Sequence, residues 1–216
     1  MTDTFIFDMD GTLIDTEKYY NRCWVQAVRD AGFFITPGQA LEFRSLGRPF
    51  APERFRELFG DGFDYHAVRE HRKKLMEEMI REEGLALKPG VTALLKELKS
   101  HGLRPMIATA TDMERTERYL RQLGIYDCFD RIISAVMVKK GKPAPDIYLY
   151  ACEQAGRKPQ ECIAIEDSPN GVRSAAAAGC KVVMIPDLTP PSPDIEPLIW
   201  KTFDSLERLI PVEALL

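Results

Sequence analysis

No stretch of this 216-residue chain stays apolar for the roughly 18 residues that a membrane-spanning helix needs, so no membrane span is expected. No C-x-x-C pair occurs. The five cysteines, Cys23, Cys128, Cys152, Cys162 and Cys180, are scattered and odd in number, and read as reduced thiols of a cytoplasmic protein rather than a disulfide framework. Histidine is scarce, and His66 and His71 lie off the i, i+4 spacing of a helical metal pair. Charge of neither sign is concentrated: the net charge of −4 is spread along the chain, which argues against a nucleic-acid-coating surface and against an acidic tail. Repeats and low-complexity tracts are absent. The first expected strand begins within a few residues of Met1, leaving no room for a signal peptide.

What is present is a soluble, globular composition, 45% hydrophobic and 29% charged, long enough to bury a substantial core. Five short apolar runs read as buried strands: Thr4 to Phe7, Pro105 to Thr109, Arg131 to Ser134, Cys162 to Ile165 and Lys181 to Ile185. Helical patterns lie between them, from Thr92 to His101 before Gly102 and from Arg115 to Leu123 before Gly124. This alternation predicts an α/β fold, a Rossmann-like doubly wound parallel sheet. Residues 15–83 break the rhythm with four amphipathic segments, Glu17 to Ala31, Thr36 to Leu46, Pro52 to Phe59 and Tyr65 to Glu83. We expect them to form a helical cap domain inserted into a core of residues 1–14 and 84–216. Pro186 to Pro197 is expected to be a surface loop before a short terminal helix.

Chemistry-bearing residues recur just after the expected strands. Asp8 and Asp10 follow the first strand and precede Gly11, at the edge where open α/β sheets bind ligands. Two carboxylates so close repel unless a cation or a proton intervenes, which points to a hard, oxygen-ligated ion, Mg²⁺. Taken alone, the stretch Asp8-Met-Asp10-Gly11 also suits a simple acidic turn. Thr109 and Ala110 open a segment whose hydroxyl and backbone N–H groups could hold a phosphate oxygen, although a threonine there could equally be a helix cap. Lys142 is fixed between Gly141 and Pro143, where it could neutralise a phosphoryl group and a carboxylate. Glu166 and Asp167 deliver two more acids; Asp167 is the natural second metal carboxylate, and Glu166 could ligate or orient a neighbour.

Asp8-Met-Asp10-Gly-Thr-Leu, Thr109, Gly141-Lys142-Pro-Ala-Pro-Asp and Glu166-Asp167-Ser-Pro-Asn-Gly resemble, in order, the four motifs of the haloacid dehalogenase superfamily. The insertion resembles the cap of subfamily I, in its β-phosphoglucomutase-like and small-phosphatase branch. The resemblance implies Mg²⁺-dependent phosphoryl transfer with Asp8 as nucleophile, Asp10 as acid and base, and Thr109 and Lys142 as stabilisers of the phosphoryl group. The metal would be held by Asp8, Asp10, Asp167 and Glu166. In the cap, Tyr20 stands where phosphoglucomutases have a histidine, and Arg48 would take the place of the arginine that grips a second phosphate. Trp24 and Tyr19 are expected to pack inside the cap. The leading expectation is a monomeric phosphatase of a small phosphorylated metabolite such as a sugar phosphate; a phosphosugar mutase and a non-catalytic phosphometabolite-binding module are the alternatives.

Overall fold

The computed structural model describes residues 2–216. Strands β1 (Thr4–Phe7), β2 (Arg104–Thr109), β3 (Arg131–Ser134), β4 (Cys162–Glu166), β5 (Lys181–Met184) and β6 (Lys201–Thr202) form one parallel sheet in the order β3-β2-β1-β4-β5-β6. The period-two pleat divides β1, β2, β4 and β5 between two cores. Phe5, Phe7, Ile107, Ile163, Ile165 and Val183 face one layer, while Ile6, Met106, Ala108, Ala164, Val182 and Met184 face the other. Each large side chain so buried contributes about 1.5–3 kcal/mol, which is why apolar runs this short suffice.

The first layer is covered by α5 (Val91–Ser100), through Leu94, Leu95 and Leu98, and by α6 (Met113–Gln122), through Tyr119 and Leu120. The second is covered by α7 (Asp146–Ala155) and α8 (Pro169–Ala178). Asp112 caps α6 by accepting from the Arg115 N–H at 3.1 Å, so the cap of this helix is Asp112 and not Thr109.

The insertion comprises α1 (Glu17–Asp30), α2 (Pro37–Leu41), α3 (Phe50–Phe59) and α4 (Tyr65–Glu83). Its entry and exit run side by side, with Asp15 N–H donating to the Ala86 carbonyl at 3.0 Å and Lys88 N–H to the Leu13 carbonyl at 2.9 Å. It has its own core. Trp24, Phe43, Phe55 and Phe63 stack there, with the Phe43 and Phe55 ring centroids 4.2 Å apart, and Trp24 is buried there as expected; Tyr19 is buried too, but in the cluster shared with Phe5 and Phe7 of the sheet rather than inside the insertion.

Three elements depart from the sequence expectation. Helix α2 stops at Leu41 rather than Leu46, because Asn170 of the core captures the carbonyls of Glu42 and Arg44, at 3.2 and 2.9 Å, that would continue it. Strand β6 is too short to show a period. The C-terminal segment forms two brief 3₁₀ turns, at Leu206–Leu209 and Val212–Leu215, rather than a helix. Among the described residues no helix is long and apolar enough to cross a membrane.

Candidate active site

The parallel sheet carries every expected residue of the core to one edge. Asp8 lies directly beyond β1, and its N–H donates to the Ile165 carbonyl of β4 at 2.9 Å, so the strand pairing itself holds its backbone. Gly11, at φ 84°, turns the chain away; a side chain there would strike Asp167 Oδ2 and Glu17. Thr109 ends β2 and Glu166 ends β4, with Asp167 next.

Lys142 is fully buried beside two of these acids. Its Nζ donates to Asp8 Oδ1 at 2.5 Å and to Glu166 Oε1 at 2.6 Å, and Tyr148 OH donates to the same Glu166 oxygen at 2.5 Å. Gly171 leaves the room that Glu166 needs, since a Cβ there would fall 1.9 Å from Oε2. Burial works against the lysine's charge, but Asp8 and Glu166 outweigh it and raise its pKa. Burial, reinforced by the charges of Glu166 and Asp10, pushes Asp8 up to about 8 despite Lys142. Asp167 is also raised well above the carboxylate range, by burial and by Glu17 and Asp8.

The acids thus crowd one another. Oxygens of Asp8, Glu166 and Asp167 lie within 4.8 Å of one another, and Asp8 Oδ2 and both oxygens of Asp167 have no hydrogen-bond partner. Arg44 approaches Asp167 Oδ2 at 3.5 Å. Buried, bare carboxylate oxygens of this kind are the donors a hard divalent cation requires. Glu166 is committed to Lys142 and Tyr148, which leaves Asp8 and Asp167 with the free lone pairs.

Asp10 is held differently. Thr16 Oγ1 donates to its Oδ1 at 2.6 Å and Thr111 Oγ1 to its Oδ2 at 2.7 Å, which fixes the plane of the carboxylate. Tyr20 OH lies 3.0 Å from Thr111 Oγ1. Because the threonine's single proton points at Asp10, the tyrosine is the donor of that pair. Thr109 Oγ1 accepts from the Thr111 N–H at 3.0 Å and so sets the loop that also presents Ala110.

The helical insertion closes over this edge through its own backbone. Gly47 N–H donates to the Lys142 carbonyl and Gly141 N–H to the Arg48 carbonyl, both at 2.8 Å. A Cβ on Gly47 would lie 2.6 Å from Gly141 Cα. Gly47→Ala is therefore expected to prise the insertion off Lys142 and raise KM by about tenfold, with a thermal midpoint shift of only a few degrees. An unchanged KM would refute the closure.

A crevice of about 640 Å³, mouth included, remains between the two parts, lined by Asp8, Asp10, Glu17, Tyr20, Arg72 and Arg115 among others. Tyr20 and Ala110 line it as placed from sequence. Arg48 lines instead an adjoining cavity that shares Ala110 and Arg115 with this one; it is exposed, with its guanidinium on the carbonyls of Ala135 and Val138 at 3.3 and 3.4 Å. Arg44, Arg72, Arg115, Glu17 and Tyr148 went unrecognised as site residues. Arg72 had a readable signal, since it occupies the buried i, i+4 stripe Val68, Arg72, Met76, Ile80 of α4.

A parallel sheet with a paired acid beyond its central strand, a buried lysine opposite and a helical cover is the architecture of a capped phosphoryl-transfer enzyme. The model of the haloacid dehalogenase-like hydrolases matches residues 2–179, and the chain belongs to that family. It is 33% identical over 183 residues to hexitol phosphatase A of Escherichia coli, covering 84% of this chain and 82% of that one. CbbY from Rhodobacter sphaeroides, solved with xylulose-(1,5)bisphosphate, superposes with a TM-score of 0.82 at 26% identity, covering 97% of each chain. β-Phosphoglucomutase from Clostridium difficile does so with a TM-score of 0.84 at 25% identity, over 100% of this chain and 96% of that one.

Proposed function

We propose that this chain is a Mg²⁺-dependent phosphatase of small phosphorylated metabolites, sugar phosphates foremost. Residues 15–83 act in it as a cap domain over a core of residues 1–14 and 84–216, and it works as a cytoplasmic monomer whose free thiols suit a reducing compartment. One observation carries the reading. A carboxylate with a bare oxygen, Asp8, is clamped by a buried lysine beside a second carboxylate, Asp10, that two hydroxyls hold in a fixed plane.

In this reading an oxygen of Asp8 attacks phosphorus while the phosphorus–oxygen bond to the metabolite breaks, and Asp10 gives its proton to the departing oxygen. When Asp10 carries that proton beforehand, the Thr16 hydroxyl has an alternative acceptor in the Ile14 carbonyl, 3.4 Å away. Asp10 then takes a proton from water, the water oxygen bonds to phosphorus, and the bond to Asp8 breaks to release inorganic phosphate. Lys142 and the Thr109 to Thr111 loop stay fixed against the phosphoryl oxygens, so positioning and charge supply most of the acceleration. Glu166 and Tyr148 act on Lys142 as positioning residues.

Asp8 and Asp167 would hold Mg²⁺ through their bare oxygens, with a Glu166 oxygen within 4.8 Å of theirs. The ion would supply charge neutralisation that lets the acids coexist and a Lewis-acid contact to the phosphoryl group. Millimolar Mg²⁺ is accordingly expected to raise the thermal midpoint by several degrees and Asp167→Asn to abolish that rise. An equal rise in the variant would remove Asp167 from the metal site.

Phosphate release from a panel of sugar phosphates, run beside isomerisation of β-glucose 1-phosphate, tests the activity. Tyr20 in place of a histidine favours hydrolysis. Isomerisation faster than every hydrolysis would make the chain a mutase, and binding without turnover would make it a sensor.

A further inference from the structure

Arg44 belongs to the insertion, but its guanidinium ends in the core. The residue is 5% exposed; Nη2 donates to the Thr189 hydroxyl, Nη1 stands 3.5 Å from Asp167 Oδ2, and Nε and Nη1 have no hydrogen-bond partner. Among the described residues Asp167 has no other ion-pair partner. The Arg44 charge is also the foremost one favouring ionised Glu17, a buried acid of the same cavity whose Oε2 is unpartnered. The neighbouring charges are taken. Lys142 holds Asp8 and Glu166, two threonine hydroxyls hold Asp10, Lys88 pairs with Asp187 at 2.6 Å and Arg115 with Asp112 at 3.0 Å, while Arg72 lies over the rings of Tyr20 and Trp24. Arg44 is the counter-charge left to Asp167 and Glu17.

Yet Arg44 meets Asp167 poorly. A guanidinium that grips a carboxylate does so with two nitrogens at about 2.7–2.9 Å. Arg44 offers one, at 3.5 Å, and both oxygens of Asp167 keep their lone pairs. Glu17 does not secure the group either, since no hydrogen bond joins the two. The backbone is under tension at the same point. Ser45, the next residue, sits at φ 54°, the only positive value among the described residues other than glycine, while Asn170 grips the Arg44 carbonyl at 2.9 Å. A side-chain-bearing residue at that φ is strained and stays there only while its surroundings hold it.

We propose that Arg44 is a built-in counter-cation which a divalent ion at Asp167 displaces, and that its departure loosens residues 42–47 from the core. This rests on the Mg²⁺ reading above. A divalent ion on Asp167 would share that carboxylate with Arg44 in a buried, low-dielectric place, where like charges repel most. The ion would use the lone pairs that the arginine leaves free, so the arginine is the cation that yields. Its release removes the contact that holds Ser45 in its strained shape. Gly47, three residues beyond Arg44, donates to the Lys142 carbonyl. Ion occupancy and this clasp therefore oppose each other, and by reciprocity each weakens the other by the same factor.

Calorimetric titration with Mg²⁺ compares the wild type, Arg44→Met and Arg44→Lys. Arg44→Met is expected to bind the ion about tenfold more tightly, and Arg44→Lys, which keeps the charge, to stay within about threefold of wild type. Hydrogen exchange reads the loop. Saturating Mg²⁺ should speed the Gly47 amide about fivefold in the wild type and leave it unmoved in Arg44→Met. Asp167→Asn, which removes the carboxylate and keeps the arginine, should speed the same amide with no metal added, so the coupling is tested even where Arg44→Met does not fold. Binding by Arg44→Met that is equal to or weaker than wild type, Arg44→Lys matching Arg44→Met, or a wild-type Gly47 amide unmoved by Mg²⁺ would overturn the proposal. If no form binds Mg²⁺, the metal reading fails and this proposal with it. Equal binding by wild type and Arg44→Met spares that reading and ends only this one.

Discussion

Asp8→Asn is expected to lower phosphate release by about 10⁴-fold or more, because an amide of the same shape leaves binding largely intact while removing the carboxylate proposed to attack phosphorus. Single-turnover assays with the best ester of the panel measure it. Residual turnover within tenfold of wild type would remove Asp8 from the nucleophile's place. The same variant carries a signature in metal-free stability. Burial lifts the pKa of Asp8 to about 8, so the folded protein binds a proton more tightly than the unfolded chain, whose carboxylates titrate near 4. An acid shifted upward favours the fold at low pH: metal-free stability should rise as pH falls from about 8 towards 4. In Asp8→Asn that part of the slope should vanish, which urea unfolding in chelator would reveal.

Lys142→Met should be the most destabilising single change at the site. The lysine is fully buried and satisfies Asp8 and Glu166 together, and removing one partner of a buried ionic cluster costs about 3–5 kcal/mol. Stability and turnover should fall together. The deficit should shrink as pH drops from 8 to 5.5, because the stranded Asp8, whose pKa burial lifts to about 8, then takes up a proton and needs no counter-charge; denaturant midpoints at the two pH values check this. An equal deficit at both would mean that the loss is one of packing, and the charge argument would be wrong.

Much of this arrangement is legible in the sequence because it depends on strands. Thr4 to Phe7 and Arg131 to Ser134 were bounded without error, and whatever follows a buried parallel strand arrives at one edge, so Asp8, Thr109 and Asp167 could be gathered before any coordinates. The helical insertion was legible as a block but not in its facing. Arg48 was expected to grip a second phosphate, yet its backbone carbonyl accepts from the Gly141 N–H and its guanidinium lies on the Ala135 and Val138 carbonyls. Arg44 gained its place only when Asn170 unwound the end of α2, a contact across 126 residues of sequence. Arg72 and Arg115 are charged residues on buried helical stripes, one in the insertion and one outside it, and such an exception to amphipathic pattern is the signal to search for. Tyr148 sits among apolar neighbours on α7, and nothing in that pattern separates its hydroxyl from ordinary core packing.

The central position of β1 has a consequence for how the molecule moves. The strand is hydrogen-bonded on both sides, to β2 and β4, and Asp8 continues that bonding one residue further. Amide protons of Phe5 to Asp8 should therefore exchange with deuterium only when the whole domain unfolds, and rank among the slowest in the chain. The Gly47 amide, held by a single bond to the Lys142 carbonyl, should exchange orders of magnitude sooner. Attack on phosphorus would then proceed from the least yielding point of the protein, and entry of the metabolite would be governed by one of its most yielding.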